Sequence, residues 1–299
     1  MTEYKRQFSM TVKRYRQLTI VACFFIGAII VTGASVRVTG SGLGCPTWPK
    51  CTSDSFTPVE MQSGHAFVEF GNRVFTGLLS LSVIAAVAGS IFRRPRSRKL
   101  IWLSLGLVLG VIAQIVLGGI TVLVDLHPLS VGAHMLLSCI ILSVAIILAI
   151  VSKRKEPPKL RNLISFSRYS VVMVLTYIVV VLGIVVTAAG PHAGDQRTKR
   201  LDVSVESVAR IHSISAWFLL ICVLVLLFYF KDRSKPLKIL AGVIVMQGAW
   251  GYAQYATGVP SWMVLGHVFL ATILFVVASN YWLLSIMNRE QPKESLLVE

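Results

Sequence analysis

Eight runs of apolar residues, each about as long as a bilayer's hydrocarbon core is thick, restrict the folds open to this chain. They cover residues 18–36, 67–92, 100–123, 129–151, 171–189, 205–230, 237–257 and 262–287. A core about 30 Å thick needs about 20 such residues per helix. Hydrophobic residues make up 55% of the chain and charged ones only 14%, so almost no polar faces remain to meet water. The sequence predicts an all-α integral membrane protein of eight transmembrane helices. The first run follows a basic segment, as in a signal peptide, but it is long and no small-residue cleavage site precedes the polar loop. It reads as a retained helix.

The net charge of +16 does not point to nucleic acid, because of where it sits. Basic residues cluster before the first run (Lys5, Arg6, Lys13, Arg14, Arg16) and in the second connection (Arg93, Arg94, Arg96, Arg98, Lys99). The fourth holds Lys153, Arg154, Lys155, Lys159 and Arg161, and the sixth Lys231, Arg233, Lys235 and Lys238. By the positive-inside rule both termini are cytoplasmic and the odd-numbered loops face outward. Arg197, Lys199 and Arg200 in the fifth loop break the pattern, partly offset by Asp195, Asp202 and Glu206.

The chain also repeats itself. Gln114-Ile-Val-Leu-Gly118 aligns with Gln247-Gly-Ala-Trp-Gly251 at an offset of 133 (247 − 114), and the same offset carries His134 onto His267. Asn72 pairs with His212 at 140 (212 − 72), and Ile-Val-Thr-Gly-Ala (30–34) with Val-Val-Thr-Ala-Ala (185–189) at 155 (185 − 30). Two tandem four-helix bundles follow, related by a pseudo-two-fold axis along the membrane normal. The expected organisation is a cytoplasmic segment 1–16, a first half 17–152 with an outward loop 37–66, a linker 153–168, a second half 169–288 and a cytoplasmic tail 289–299.

Ionisable groups at membrane depth mark function. His134, His212 and His267 each lie about six residues into a helix entering from outside, roughly 9 Å deep at 1.5 Å per residue. Facing histidines in a four-helix bundle can hold haem iron from both axial sides, and His212 with His267 would form such a pair. Hydrogen-bonding histidines without metal, or a copper site, are the alternatives. In the first half Asn72, a poor iron ligand, stands where the second half has His212. Glu69, His65 and Asn72 share one helical face, and Arg73 lies four residues after Glu69. Glu69 is either an ion-pair partner ordering the helix end or a general base beside a substrate. His127 and His192 read as surface residues, and Trp250 and Trp262 as packing and interface anchors. Cys45 and Cys51 flank Pro-Thr-Trp-Pro-Lys in the first outward loop, on the oxidising side, as either a structural staple or a redox-active pair. Cys23, Cys139 and Cys222 fall within apolar runs.

Taken together, Gly40-Ser-Gly-Leu-Gly-Cys-Pro-Thr-Trp-Pro-Lys-Cys51, Glu69-Phe-Gly-Asn-Arg73, Leu117-Gly-Gly-Ile-Thr-Val122, His134, Arg210-Ile-His212 and His267 resemble the heme A synthase family over nearly the whole chain. The resemblance implies an oxidoreductase that converts the C8 methyl of haem O to the formyl of haem A through alcohol and gem-diol stages, for aa3-type terminal oxidases. It implies haem b, with its iron, held by His212 and His267 as cofactor. Haem O would bind near His134, Asn72 and Arg73, with Glu69 the catalytic carboxylate and Cys45–Cys51 an outward-loop disulfide. It further implies haem O synthase and terminal oxidase assembly as partners, membrane lipid as surroundings, a plasma-membrane location, and compatibility with a homo-oligomer; no nucleic acid is expected. The family pattern is Glu-x-x-His-Arg, so Asn72 departs from it, and haem O would hang mainly from His134. A bis-histidine electron-transfer protein and a parallel-repeat transporter are the competing classes.

Overall fold

The computed structural model describes residues 9–59, 64–155, 167–196 and 198–289. Lys5, Arg6, Lys159, Arg161 and Arg197 lie outside these residues, as do most of the tail and part of the 153–168 linker. The described residues form eight helices and no strand. They are α1 (Val12–Val38), α2 (Gly64–Phe92), α3 (Arg98–Leu123), α4 (Pro128–Val151), α5 (Arg168–Ala189), α6 (Val205–Phe228), α7 (Lys235–Ala256) and α8 (Ser261–Arg289). Every helix begins or ends within a few residues of the run that predicts it, except that α1 starts six residues earlier, at Val12 rather than residue 18. There Thr11 caps the helix by accepting from the Arg14 amide at 3.3 Å, which lets the basic turn be helical too.

Seven of the eight helices are long and apolar enough to cross a membrane. The exception is α7, whose apolar run is broken by Lys238, Gln247 and Gln254. Side chains such as Phe24 (68% exposed), Trp102 (71%) and Leu109 (70%) cover the outer surface, which suits lipid and not water. The chain is a multi-pass membrane protein.

The helices pack as neighbours in sequence, α1 on α2, α2 on α3 and α3 on α4, with α4 returning to α1. The last four repeat this order, and α8 returns to α5. The two sets meet through α1, α4, α5 and α8. One buried cluster around Tyr15, Leu107 and Leu142 fills the first set and runs on to Met173 of α5 and Phe275 of α8, and a second around Leu219, Leu240 and Ala278 fills the other. Several polar groups inside are paired: Tyr15 with Ser104 at 3.1 Å, Thr19 with Ser152 at 3.1 Å, and Ser143 with Tyr177 at 2.7 Å across the α4–α5 contact. Such pairs fix helix register where lipid offers no partner.

Two loop residues are drawn inward, and one of them, His192, differs from its expected surface placement. Arg93 is fully buried, its guanidinium donating to the carbonyls of Pro95, Arg154 and Lys155, so it ties the α2–α3 connection to the end of α4. His192 is half-buried; its Nε2 donates to the Val259 carbonyl at 2.8 Å, and its own carbonyl accepts from Arg37 at 2.9 Å. A loop histidine here joins two loops to the end of α1, because main-chain carbonyls converge on it.

Candidate functional site

Three histidines sit near the N-terminal ends of their helices, each against the preceding helix. His212 is on α6 and His267 on α8, with ring centroids 6.3 Å apart and ring planes at 66°. Nδ1 of His212 donates to the Val179 carbonyl of α5 at 3.0 Å, which leaves the Nε2 lone pair available to a metal. Gln247 of α7 donates to the main-chain carbonyl of His267 at 3.1 Å. In the first set Gln114 of α3 donates to the carbonyl of His134 at the same 3.1 Å, and also to Ser138. These glutamines carry the repeat in the sequence, yet their role as braces needs the helix packing to be seen; their shared offset with the histidines is the signal. Nδ1 of both His134 and His267 is buried without a hydrogen-bond partner.

The gap between His212 and His267 suits one ion bonded to a nitrogen of each ring at the usual metal–imidazole distance of about 2.0–2.1 Å. No group of three or more His, Cys, Asp or Glu that could hold a metal occurs among the described residues. Two facing imidazoles are a donor set that would fit haem iron.

Against the α1–α2 connection, Glu69 of α2 is 6% exposed and fully engaged. Its Oε1 pairs with Arg73 at 2.6 and 3.2 Å, and its Oε2 accepts from the Cys45 amide at 2.7 Å. Arg73 in turn donates to the carbonyls of Cys45 (3.3 Å), Thr47 (3.1 Å) and Lys50 (3.2 Å). A buried carboxylate is costly unless it is paired and hydrogen-bonded, and here both conditions are met. Glu69 pairs with Arg73 and, through the Cys45 amide, also anchors the loop. Cys45 and Cys51 are joined in a disulfide and fully buried against Ala66 and Phe70. Close approach demands Gly44, where a Cβ would come within 2.5 Å of the His65 carbonyl oxygen. At Gly119 of α3 a Cβ would lie 2.6 Å from the Trp48 ring, so the disulfide loop reaches across to the helix next to His134. His65 leaves the site: it is exposed and bonds Ser41 at 2.9 Å. His127 is exposed too, capping α4 through the Leu129 amide. Trp250 donates to the Met263 carbonyl at 2.8 Å and packs edge-to-face on Trp262, which is 65% exposed, as expected of anchors.

Asn72 is half-buried, and its Oδ1 accepts from Thr32 of α1 at 2.8 Å. The sequence contains Thr32 in a repeated segment but nothing in its spacing to Asn72 tells that they touch.

Fold and site together define a polytopic membrane protein with a facing histidine pair in one set of helices and a His, Asn and buried carboxylate in the other. Residues 16–279 match the cytochrome oxidase assembly protein family, and the chain belongs to that family. It is 25% identical over 308 residues to the heme A synthase of Bacillus pumilus (strain SAFR-032), covering 93% of this chain and 97% of the relative. The heme A synthase of Listeria welshimeri is 25% identical over 298 residues, 93% of this chain and 96% of the relative. That of Geobacillus kaustophilus (strain HTA426) is 30% identical over 129 residues, 42% of this chain and 40% of the relative.

Proposed function

We propose that this protein is a heme A synthase, an oxidoreductase that oxidises the C8 methyl of haem O to the formyl group of haem A. One observation carries the reading: the two sets of helices share a brace, Gln to the His carbonyl at 3.1 Å, yet hold unequal chemistry. His212 and His267 form a closed pair suited to haem b as a resident cofactor, which supplies one-electron redox chemistry when bound. By the repeat offsets His134 corresponds to His267 and Asn72, a poor ligand, to His212, with the buried Glu69 three residues before Asn72; this set suits haem O as substrate. The two sets are tandem four-helix bundles related by a pseudo-two-fold axis along the membrane normal, as the offsets and the common brace support.

Oxidising a methyl carbon releases protons, so an acceptor must stand beside it. Glu69 takes that role, held in place by Arg73 and by the Cys45 amide. The disulfide loop, pinned by Arg73 and by Trp48 on Gly119, closes the outer side and limits water. Basic clusters at the α2–α3, α4–α5 and α6–α7 connections support cytoplasmic termini in the plasma membrane. Haem O synthase would supply the substrate, and assembly of a terminal oxidase would take the product.

Co-expression with a haem O source and extraction of the pigments tests the reading. Hydroxylated haem O or haem A that disappears in Glu69→Gln is the expected result. Unchanged haem O with the purified protein still carrying a bis-histidine haem would leave electron transfer instead.

A further inference from the structure

The three histidines are seated in the same way. A Cβ on Gly118 of α3 would stand 3.2 Å from Cε1 of His134, one on Gly183 of α5 3.1 Å from Cε1 of His212, and one on Gly251 of α7 3.0 Å from Cε1 of His267. Each glycine lies on the helix before the histidine's own. At such distances an added methyl would push the ring by a few tenths of an ångström. Dense packing transmits that shift to whatever the ring ligates.

The fourth position differs in both partners. The offset of 155 that lays Thr187 on Thr32 (187 − 32) lays Gly183 on Ala28 (183 − 28), while the offset of 140 lays His212 on Asn72. Where the imidazole is missing, so is the glycine that would seat it. Thr32 lies four residues after Ala28, hence on the same face of α1. Its hydroxyl donates to Asn72 Oδ1 at 2.8 Å and occupies the amide oxygen. Both Nδ2 protons then remain, with no side-chain partner for them among the described residues.

We infer that Ala28 and Thr32 are positioning residues that turn this corner of the first site from a ligand seat into a hydrogen-bond-donor seat, leaving the position that corresponds to His212 free of a protein ligand. The inference rests on the haem reading above and deepens it: Asn72 is one part of a matched set, and restoring histidine alone restores ligation only weakly. The open side accepts a small ligand able to take a hydrogen bond from the Asn72 amide.

The test uses full-length protein purified after expression with added haem precursor, read by ferric spin state in absorption and electron paramagnetic resonance. Wild type should show one bis-histidine low-spin haem and, when its first site is filled, a high-spin haem that binds carbon monoxide once reduced. Asn72→His alone should give a weak second low-spin signal, and Ala28→Gly with Asn72→His a several-fold stronger one. Gly183→Ala should erode the original low-spin signal, an arm that stands even if the first-site variants fail to accumulate. Thr32→Val should raise the C–O stretching frequency of the carbon monoxide complex, because a fixed donor to the bound ligand is lost. Asn72→His matching the double variant, or Gly183→Ala leaving its haem unchanged, would overturn the inference while the haem reading survives. Wild type lacking haem altogether would instead overturn that reading.

Discussion

His212 and His267 face each other with ring centroids 6.3 Å apart, and each is held from a neighbouring helix by a different main-chain contact. His212 is fixed through its ring, by the Val179 carbonyl at 3.0 Å, and His267 through its backbone, by Gln247 at 3.1 Å. The ring of His212 therefore has a set tautomer, whereas the position of His267 depends on the fit of α7 against α8.

Gln247→Leu removes the brace without changing the ligands. Losing one hydrogen bond of this kind costs about 0.5–1.5 kcal/mol. We expect a modest drop in the thermal midpoint of the purified protein and faster haem loss to an external acceptor. Gln114→Leu should leave that haem's retention unchanged, because its brace acts on His134.

Arg73→Ala leaves the Glu69 carboxylate buried without its cation. Breaking one partner of a buried pair costs about 3–5 kcal/mol, more than removing both. The double variant Glu69→Gln with Arg73→Ala should therefore be more stable than Arg73→Ala alone, in a thermal-unfolding double-mutant cycle. Equal stabilities would mean that the pair at 2.6 Å is not holding the helix end.

The disulfide closes a short loop, with Cys45 and Cys51 at a sequence separation of 6. Chain entropy for so small a loop assigns it about 2 kcal/mol. Cys45→Ser with Cys51→Ser should loosen residues 41–59 to limited proteolysis from the outer face. The low-spin haem signal should persist, since neither cysteine touches His212 or His267.

Gly119→Leu should displace Trp48, whose ring lies 2.6 Å from a Cβ built there. Quenching of Trp48 fluorescence by an aqueous quencher, in a background with the other tryptophans replaced by phenylalanine, should increase. Unchanged quenching would show that the loop does not rest on α3.

Much of the scaffold is legible in the sequence because a bilayer sets helix length. The histidine positions were legible too, since one offset relates Gln114 and His134 to Gln247 and His267. Contacts between helices were not. The Cys45 amide meets Glu69 across 24 residues of chain, and Thr32 meets Asn72 across 40, through packing that no local periodicity encodes. The same holds for His192, an apparent surface residue whose ring and carbonyl join Val259 to Arg37. The reduced hydropathy of α7 also has a structural counterpart, for Gln247, one of the polar residues that break its apolar run, is the brace of His267.

The central claim is that one set of helices keeps a haem between His212 and His267 while the other is the reaction chamber. The most direct measurement is the low-spin haem spectrum of the purified protein beside His212→Ala, His267→Ala and His134→Ala. The account predicts a bis-histidine signal that is abolished by either of the first two substitutions and retained in the third. A signal that depends on His134, or one that survives loss of His212 or His267, would contradict it.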